Sequence, residues 1–364
     1  MKILYVTTVS ITMSFFEAHF RMLLEEGHTV ELACNCEEPL PDFCVDMGLK
    51  VYSIPFSRSP LSKDNLTAAG ELKKVVEAGH YDIVHTHTPT ASACVRLVCR
   101  KFRKQGLKVF YTAHGFHFYQ GAPAKNWLLF YPVEWLCAHW TDVLITINKE
   151  DFERAKRSFR AGKVLYIPGV GIDLEKFGKQ SADRTAKRRE LGIPEDAVLL
   201  LSVGELNENK NHETMIKALK GMDIYYCIAG QGDKESNLRK LASELGMENR
   251  VKLLGYRKDV RELYQTADAF VFPSYREGLS VSLMEAMASG LPCVASRIRG
   301  NTDLIDEKGG VLFDPHSTDQ ASQAVRTLLA GNRRAMGEYN MQKVRRFSTQ
   351  DVICQLRDVY AVVN

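Results

Sequence analysis

Two carboxylates eight residues apart, Glu277 and Glu285, bracket the start of an apolar helical pattern within Pro273–Pro292. An apolar run from Ala269 to Phe272 precedes this stretch and another, Cys293 to Ala295, closes it, so the segment reads as strand, loop, helix, strand. Glu277 and Gly278 fall on the loop. The helix opens at Val281 and carries Leu283, Met284, Ala286 and Met287, with Glu285 about one turn in. The amides of Leu279, Ser280 and Val281 would lack intrahelical acceptors there, and a helix start of that kind favours an anion. A fixed, ionised carboxylate accepts two hydrogen bonds from a sugar hydroxyl pair. Together these make a seat for a phosphorylated sugar; the alternative is two exposed acids on a loop and a helix.

Further candidates sit where apolar runs end. Lys210 lies in Gly204-Glu-Leu-Asn-Glu-Asn-Lys-Asn211, and Gly230-Gln-Gly232 and Tyr256-Arg257 follow two other runs. His114 closes Phe110-Tyr-Thr-Ala-His114, with His117 and Tyr119 just beyond; His85 and His87 close another run. Each also has an ordinary interpretation: a solvated lysine, turn glycines, core histidines. No Asp-x-Asp pair occurs in the chain, which gives a metal no obvious carboxylate clamp.

The elements that must position these residues alternate strand and helix. Strands are expected at Lys2–Val9, Thr29–Ala33, Val51–Ile54, Ile83–His87, Val109–Thr112, Val143–Ile147 and Val164–Ile167, with helices at Phe15–Glu26 and near 64–78, 90–104, 125–140 and 149–160. Ile167 to Phe177, rich in Gly and Pro, reads as an interdomain linker, and a charged stretch from Lys179 to Glu190 follows. Alternation then restarts with strands at Ala197–Val203, Ile224–Ala229, Arg250–Leu254, Ala269–Phe272, Cys293–Ala295 and Val311–Phe313, and ends in helical segments near 317–330, 332–346 and 350–363. This is α/β architecture with parallel sheets covered on both faces, in two Rossmann-like domains, 1–168 and 169–349. Ligands in such sheets sit at the carboxyl ends of strands, here marked by Ser10, His87, His114, Gly204, Gly230–Gly232 and Pro273. Two such domains facing each other would gather them around one cleft.

At 364 residues, 45% hydrophobic and 25% charged, the chain has the makeup of a soluble two-domain protein. A net charge of +4 with no basic run interleaved with aromatics argues against nucleic acid. Nine cysteines without C-x-x-C spacing favour reduced thiols in a cytosolic protein. The first residues, broken by Thr7, Thr8, Ser10, Thr12 and Ser14, fit a strand rather than a signal peptide, and no apolar run approaches the ~20 residues of a membrane span.

Glu277-x7-Glu285 within Pro-Ser-x-x-Glu-Gly-Leu, followed by Gly290-Leu-Pro292-x-Val-Ala-Ser296, resembles the retaining glycosyltransferases of family 4, which have the GT-B fold. The resemblance spans essentially the whole chain and implies that the helix 350–364 packs back on the first domain. It implies that Glu285 holds the ribose of a nucleotide-sugar, most readily UDP-linked, and that Glu277, Gly278, Leu279 and Ser280 lie against the transferred sugar and phosphate. It implies that Lys210, beside Gly204, grips the diphosphate, that Gly230, Gly232 and Arg257 border base and phosphates, and that His114 meets the donor sugar. His117, Tyr119 and His87 would face the acceptor. Catalytic work would fall to His114 and Glu277 with no metal or other cofactor. The departure is Glu205, where the family carries an Arg that also grips the diphosphate; a carboxylate there repels phosphate. The loop Ser10-Ile-Thr-Met-Ser14 lacks a Gly-rich turn, leaving the Ser10 and Ser14 hydroxyls as substitutes.

Ala113–Phe118 and Thr146–Glu150 resemble members that act in capsule, exopolysaccharide or glycan-carrier assembly. That implies transfer of a hexose or N-acetylhexosamine to a glycan on polyprenyl diphosphate, at the inner face of the cytoplasmic membrane. All three tryptophans lie in Trp127–Trp140, downstream of Arg100, Lys101, Arg103 and Lys104. This combination suits a bilayer interface; the alternative is a buried helix packed through Leu128, Leu129, Val133 and Leu136. Two other functions stay open: a nucleotide-sugar epimerase or phosphorylase on the same fold, and a nucleotide-sugar-binding protein without turnover.

Overall fold

The structure, a computed structural model, describes residues 1–178 and 183–361. The charged stretch from Lys179 therefore begins outside the described residues, as does the end of the helix expected at 350–364. Tertiary contacts divide the chain into two units, one of Met1–Val170 with the chain from Gln350 onward, the other of Gly171–Thr349.

In the first unit Lys2–Val9 (β1) buries six consecutive residues, as a strand covered on both faces must. It is joined by Thr29–Asn35 (β2), Lys50–Ser53 (β3), Ile83–Thr86 (β4), Lys108–Ala113 (β5), Val143–Thr146 (β6) and Lys163–Tyr166 (β7) in the order β3-β2-β1-β4-β5-β6-β7. Every pairing is parallel. The order reverses between β1 and β4, which is where a doubly wound sheet opens a crevice beyond its strand ends. Helix Thr349–Ala361 packs into this unit: Val352, Leu356, Val359 and Tyr360 join Ile3, Tyr5, Phe16 and Phe20 in one core cluster.

The second unit repeats the plan with Val198–Val203 (β8), Ile224–Ala229 (β9), Val251–Leu253 (β10), Ala269–Phe272 (β11), Cys293–Ser296 (β12) and Gly310–Phe313 (β13), in the order β10-β9-β8-β11-β12-β13, all parallel. Its reversal falls between β8 and β11, the strands that precede the Lys210 loop and the Glu277 loop.

Three local outcomes differ from the sequence expectations. The helix expected from Phe15 begins at Glu17, because Ser10–Phe15 forms a 3-10 turn. The helix expected over 90–104 ends at Cys99; a 3-10 turn at Phe102–Gln105 and Gly106, at φ 103°, redirect the chain into β5. A short helix, Asp42–Asp46, forms just after Pro41, which no apolar periodicity announced.

Candidate active site

In the second unit the loops after β8 and β11 are stitched together. Asn207 Oδ1 accepts the Lys210 amide at 3.0 Å and closes a 3-10 turn, Glu208–Lys210. Tyr275 N donates to Asn209 O at 2.8 Å and Asn209 Nδ2 to Arg276 O at 2.9 Å. Asn211, buried and at φ 53°, donates to Pro273 O and Pro315 O, each at 3.0 Å. The left-handed backbone and two buried acceptors make Asn the residue this corner requires. The result is a Lys210 Nζ–Glu277 Oε1 contact of 2.8 Å, with the ammonium 4.8 Å from the centre of the Phe272 ring.

Beyond Glu277 the loop enters helix Val281–Ala288 through Ser280, whose Oγ accepts the Leu283 amide at 3.3 Å. Among the described residues the amides of Leu279, Ser280 and Val281 carry no backbone acceptor. Gly278 is held from behind. A Cβ on Gly300, at φ 77°, would stand 2.2 Å from Gly278 O, so only glycine lets the two loops touch. Buried Arg299 donates Nε to Glu277 O at 3.1 Å. Arg299 was not among the sequence candidates: it lies three residues beyond the end of β12, and its contact with the Glu277 backbone depends on β12 lying beside β11.

Glu285 is half-buried in its helix, and Oε2 accepts the Tyr264 hydroxyl at 2.8 Å. Burial raises its carboxyl above the ordinary value, against the pull of that hydrogen bond and of Lys176. Gly204 donates its amide to Ala229 O at 3.0 Å. A Cβ on Gly230 would lie 1.8 Å from Gly204 O, so the loop after β9 lies directly on the one after β8. Gly232 follows in that loop, where Gln231 O accepts the Leu206 amide at 2.9 Å. Arg257 instead bonds Asp259 and Glu190, the latter at 2.6 Å, beside Lys187; no contact among the described residues joins it to Lys210 or Glu277. Hydrogen bonds from Arg257 hold the Asp259 carboxyl far below its ordinary value. Glu205 is exposed and accepts Asn207 Nδ2 at 2.7 Å rather than touching Lys210.

In the first unit β4 and β5 deliver His87 and His114 to adjacent strand ends, with His87 Nδ1 3.1 Å from His114 Nε2. His87 is 1% exposed and His114 half-buried. His85 and His19 complete a buried group: His85 bonds Tyr360 and Thr112, and His19 Nδ1 lies 3.0 Å from the Tyr5 hydroxyl. Burial lowers all four rings, His19 to about 3 and His114 to about 4, so they are neutral at physiological pH. The loop after His114 is pinned by the segment after β6. Phe116 N donates to Asp151 Oδ2 at 3.0 Å, Asn148 Nδ2 donates to the same oxygen at 2.8 Å, and Gln120 N donates to Glu150 at 2.7 Å. The His117 ring stacks on Phe130 at 4.4 Å, and its carbonyl accepts Asn126 Nδ2 at 3.1 Å. Tyr119 is half-buried, with its carbonyl accepting the Ala122 amide at 3.0 Å. Ser10 and Ser14 spend their hydroxyl protons on Glu38 O and Ile11 O, each at 2.7 Å.

Helix Ala124–Ala138 overturns the buried-leucine alternative. It turns Glu134, Cys137 and Ala138 inward and leaves Leu128, Leu129, Val133, Trp135 and Leu136 exposed, Leu128 by 78%. The inversion has a cause: Arg96, 1% exposed, bonds Glu134 at 2.7 Å, and the Tyr111 hydroxyl bonds it at 3.2 Å. A buried charge needs that partner, so the pair fixes which face looks inward. No helix among the described residues is long and apolar enough to cross a membrane. Among the described residues no group of three His, Cys, Asp or Glu side chains could hold a metal ion.

Two α/β/α units, each built on a parallel sheet that reverses its strand order once, are the architecture of the GT-B enzymes, and this chain belongs to the family 4-like glycosyltransferases of that fold. Residues 17–176 match the profile described as Glycosyltransferase Family 4 and residues 183–343 that of Glycosyl transferases group 1. A Bacillus subtilis (strain 168) protein named "Putative glycosyltransferase EpsD" is 38% identical over 99% of this chain and 96% of its own. An Escherichia coli relative, named UDP-Gal:alpha-D-GlcNAc-diphosphoundecaprenol alpha-1,3-galactosyltransferase, is 28% identical over 84% of this chain and 81% of its own. Among solved structures, Anabaena Alr3699/HepE in complex with UDP superposes over 100% of both chains with a TM-score of 0.82 at 17% identity, a likeness of fold.

Proposed function

We propose that this chain is a retaining glycosyltransferase that takes a hexose or N-acetylhexosamine from a UDP-sugar and places it on a polyprenyl-diphosphate-linked glycan during capsule or exopolysaccharide assembly. The observation that carries this is the Lys210–Glu277 pair beside the free amides of Leu279, Ser280 and Val281, at the point where the second sheet reverses. An acceptor hydroxyl attacks the anomeric carbon on the face that the diphosphate leaves. The carbon–oxygen bond to phosphate breaks with its electron pair on oxygen, the new glycosidic bond forms, and the departing phosphate takes the hydroxyl proton. Lys210 and the three amides meet the growing negative charge, the work for which another enzyme would recruit a metal, so no metal is required. Glu277 faces the positive charge at the reacting carbon, Glu285 holds the ribose and His114 the transferred sugar, while His117 and Tyr119 serve the acceptor.

The Escherichia coli relative's name, with its UDP-linked donor and diphosphoundecaprenol acceptor, supports the substrate classes. The UDP in the Anabaena protein supports the donor base. The exposed face of helix Ala124–Ala138, with exposed Arg100, Lys101, Lys104 and Lys125 nearby in sequence, supports contact with an anionic bilayer at the cytoplasmic face. Incubating the purified protein with a panel of UDP-sugars and a synthetic polyprenyl-diphosphate sugar should give lipid-linked product with the donor's anomeric configuration retained. Inverted product would refute the mechanism, and isomerised donor without acceptor would make the protein an epimerase. Exposed Glu205, standing where the family carries an Arg, favours a second possibility, binding without turnover; donor affinity with no product from any panel member would establish it.

A further inference from the structure

The His87–His114 contact sits between two neutral rings, and one hydrogen must lie in it. Either His87 Nδ1–H donates to His114 Nε2, or His114 Nε2–H donates to His87 Nδ1. The surroundings of His87 separate the two. Its ring is packed by Tyr5 at 4.4 Å and 22°, by Phe16 at 4.3 Å and by His85 at 4.2 Å. Its backbone amide already donates to Val6 O at 3.1 Å. Its other ring nitrogen, Nε2, is buried without a hydrogen-bond partner among the described residues. If His114 were the donor, His87 would carry its own proton on that enclosed Nε2, an orphaned N–H. Buried N–H groups without acceptors are rarer than acceptors short of donors. The favoured arrangement puts the His87 proton on Nδ1, leaves its Nε2 bare, and makes His114 Nε2 the acceptor. A neutral His114 then carries its proton on Nδ1, a nitrogen with no hydrogen bond among the described residues on a ring that is only half-buried.

We propose that His87 is a positioning residue: through its Nδ1–H bond it fixes His114 as the Nδ1–H tautomer, so that His114 presents a hydrogen-bond donor to an oxygen of the transferred sugar. The consequence for transfer rests on the placement of His114 against that sugar in the proposed function; the tautomer itself does not. The geometry needs no ionised ring. Burial keeps both rings neutral, and the stacked partners hold the His87 plane so that its N–H can point only at His114. His87 is thereby removed from direct contact with acceptor, as its 1% exposure requires.

The test uses the full chain labelled with nitrogen-15 at histidine and long-range proton–nitrogen correlation at neutral pH. His114 should show a protonated Nδ1 and a bare Nε2, and so should His87. A protonated Nε2 on His114 would overturn the proposal. His87→Phe keeps the aromatic stack but removes the donor, and His114 should then shift toward the Nε2–H form. His87→Asn places an amide N–H near the position of Nδ1 and should restore the native pattern. With UDP-sugar and polyprenyl-diphosphate acceptor, kcat should fall about tenfold in His87→Phe, the worth of one lost hydrogen bond, and recover to within about threefold in His87→Asn, with donor KM little changed in both. A purely structural role would lower both variants together and leave the tautomer unmoved, which also overturns the proposal. A shifted tautomer with undiminished transfer, matched by an active His114→Ala, would fault the placement of His114 at the sugar and leave the His87–His114 relation standing.

Discussion

Replacing Glu285 by alanine should remove most of the affinity for the nucleoside part of the donor. The carboxylate is half-buried on helix Val281–Ala288 and oriented by the Tyr264 hydroxyl at 2.8 Å on Oε2, while Oε1 has no partner among the described residues. A fixed carboxylate facing the two ribose hydroxyls gains hydrogen bonds to a charged group, each worth about 1.5–3 kcal/mol, and loses part of that in desolvation. A net loss of about 3 kcal/mol corresponds to roughly a hundredfold weaker Kd for UDP. Glu285→Gln keeps one acceptor and should weaken binding about tenfold. Tyr264→Phe leaves the charge but frees the side chain, at about 1 kcal/mol or roughly fivefold. Titration calorimetry with UDP at fixed pH and salt measures the series, and thermal unfolding of each variant reports the fold. A Kd for Glu285→Ala within about twofold of the parent, on a folded protein, would refute the ribose assignment.

If Lys210 meets the departing diphosphate as proposed, Lys210→Met should lower kcat about 10²–10³-fold with little change in thermal stability; undiminished turnover would refute that role. The first unit should weaken in acid. Burial sets His19 near 3 and His114 near 4, against 6.5 when unfolded, so the native state binds fewer protons than the unfolded chain below 6.5. Their contribution is complete above 6.5 and drains as pH falls toward 4 and 3; at pH 5 each should cost about 2 kcal/mol, readable as a lower urea midpoint at pH 5 than at pH 7.5. Equal midpoints would mean that these rings titrate normally. Leu128→Asp and Trp135→Asp alter only the exposed face of helix Ala124–Ala138 and should reduce cosedimentation with anionic vesicles about tenfold or more without loss of fold; unchanged binding would remove this face from membrane contact.

How far the site could be read from the sequence differs from residue to residue. The loop and helix holding Glu277 and Glu285 were legible because strand, glycine-containing loop and apolar helix all lie within twenty consecutive residues. Lys210 was legible as a strand-end lysine, but its pairing with Glu277, 67 residues away, was not: that needs β8 beside β11 and Asn211 bridging two loops. Arg257 was placed by resemblance alone beside base and phosphates; its bonds to Asp259, two residues on, and to Glu190 could not be read from the residue itself. Helix Ala124–Ala138 shows the limit most clearly. Its leucines are indistinguishable by type from core leucines, and only the buried Arg96, on a different helix, decides that Glu134 turns inward.

What the sequence by itself determined is what short-range physics controls: the order of strands and helices, the doubled α/β plan, the loop glycines, and the anion-favouring helix start with its two acids. The tertiary structure alone decided which distant residues meet. Parallel strands separated by whole crossover helices bring His87 beside His114 and Lys210 onto Glu277, and those contacts set burial, hydrogen bonding and charge pairing. Such properties depend on burial and on the partner across the contact, and neither is carried by the residue type at a single position.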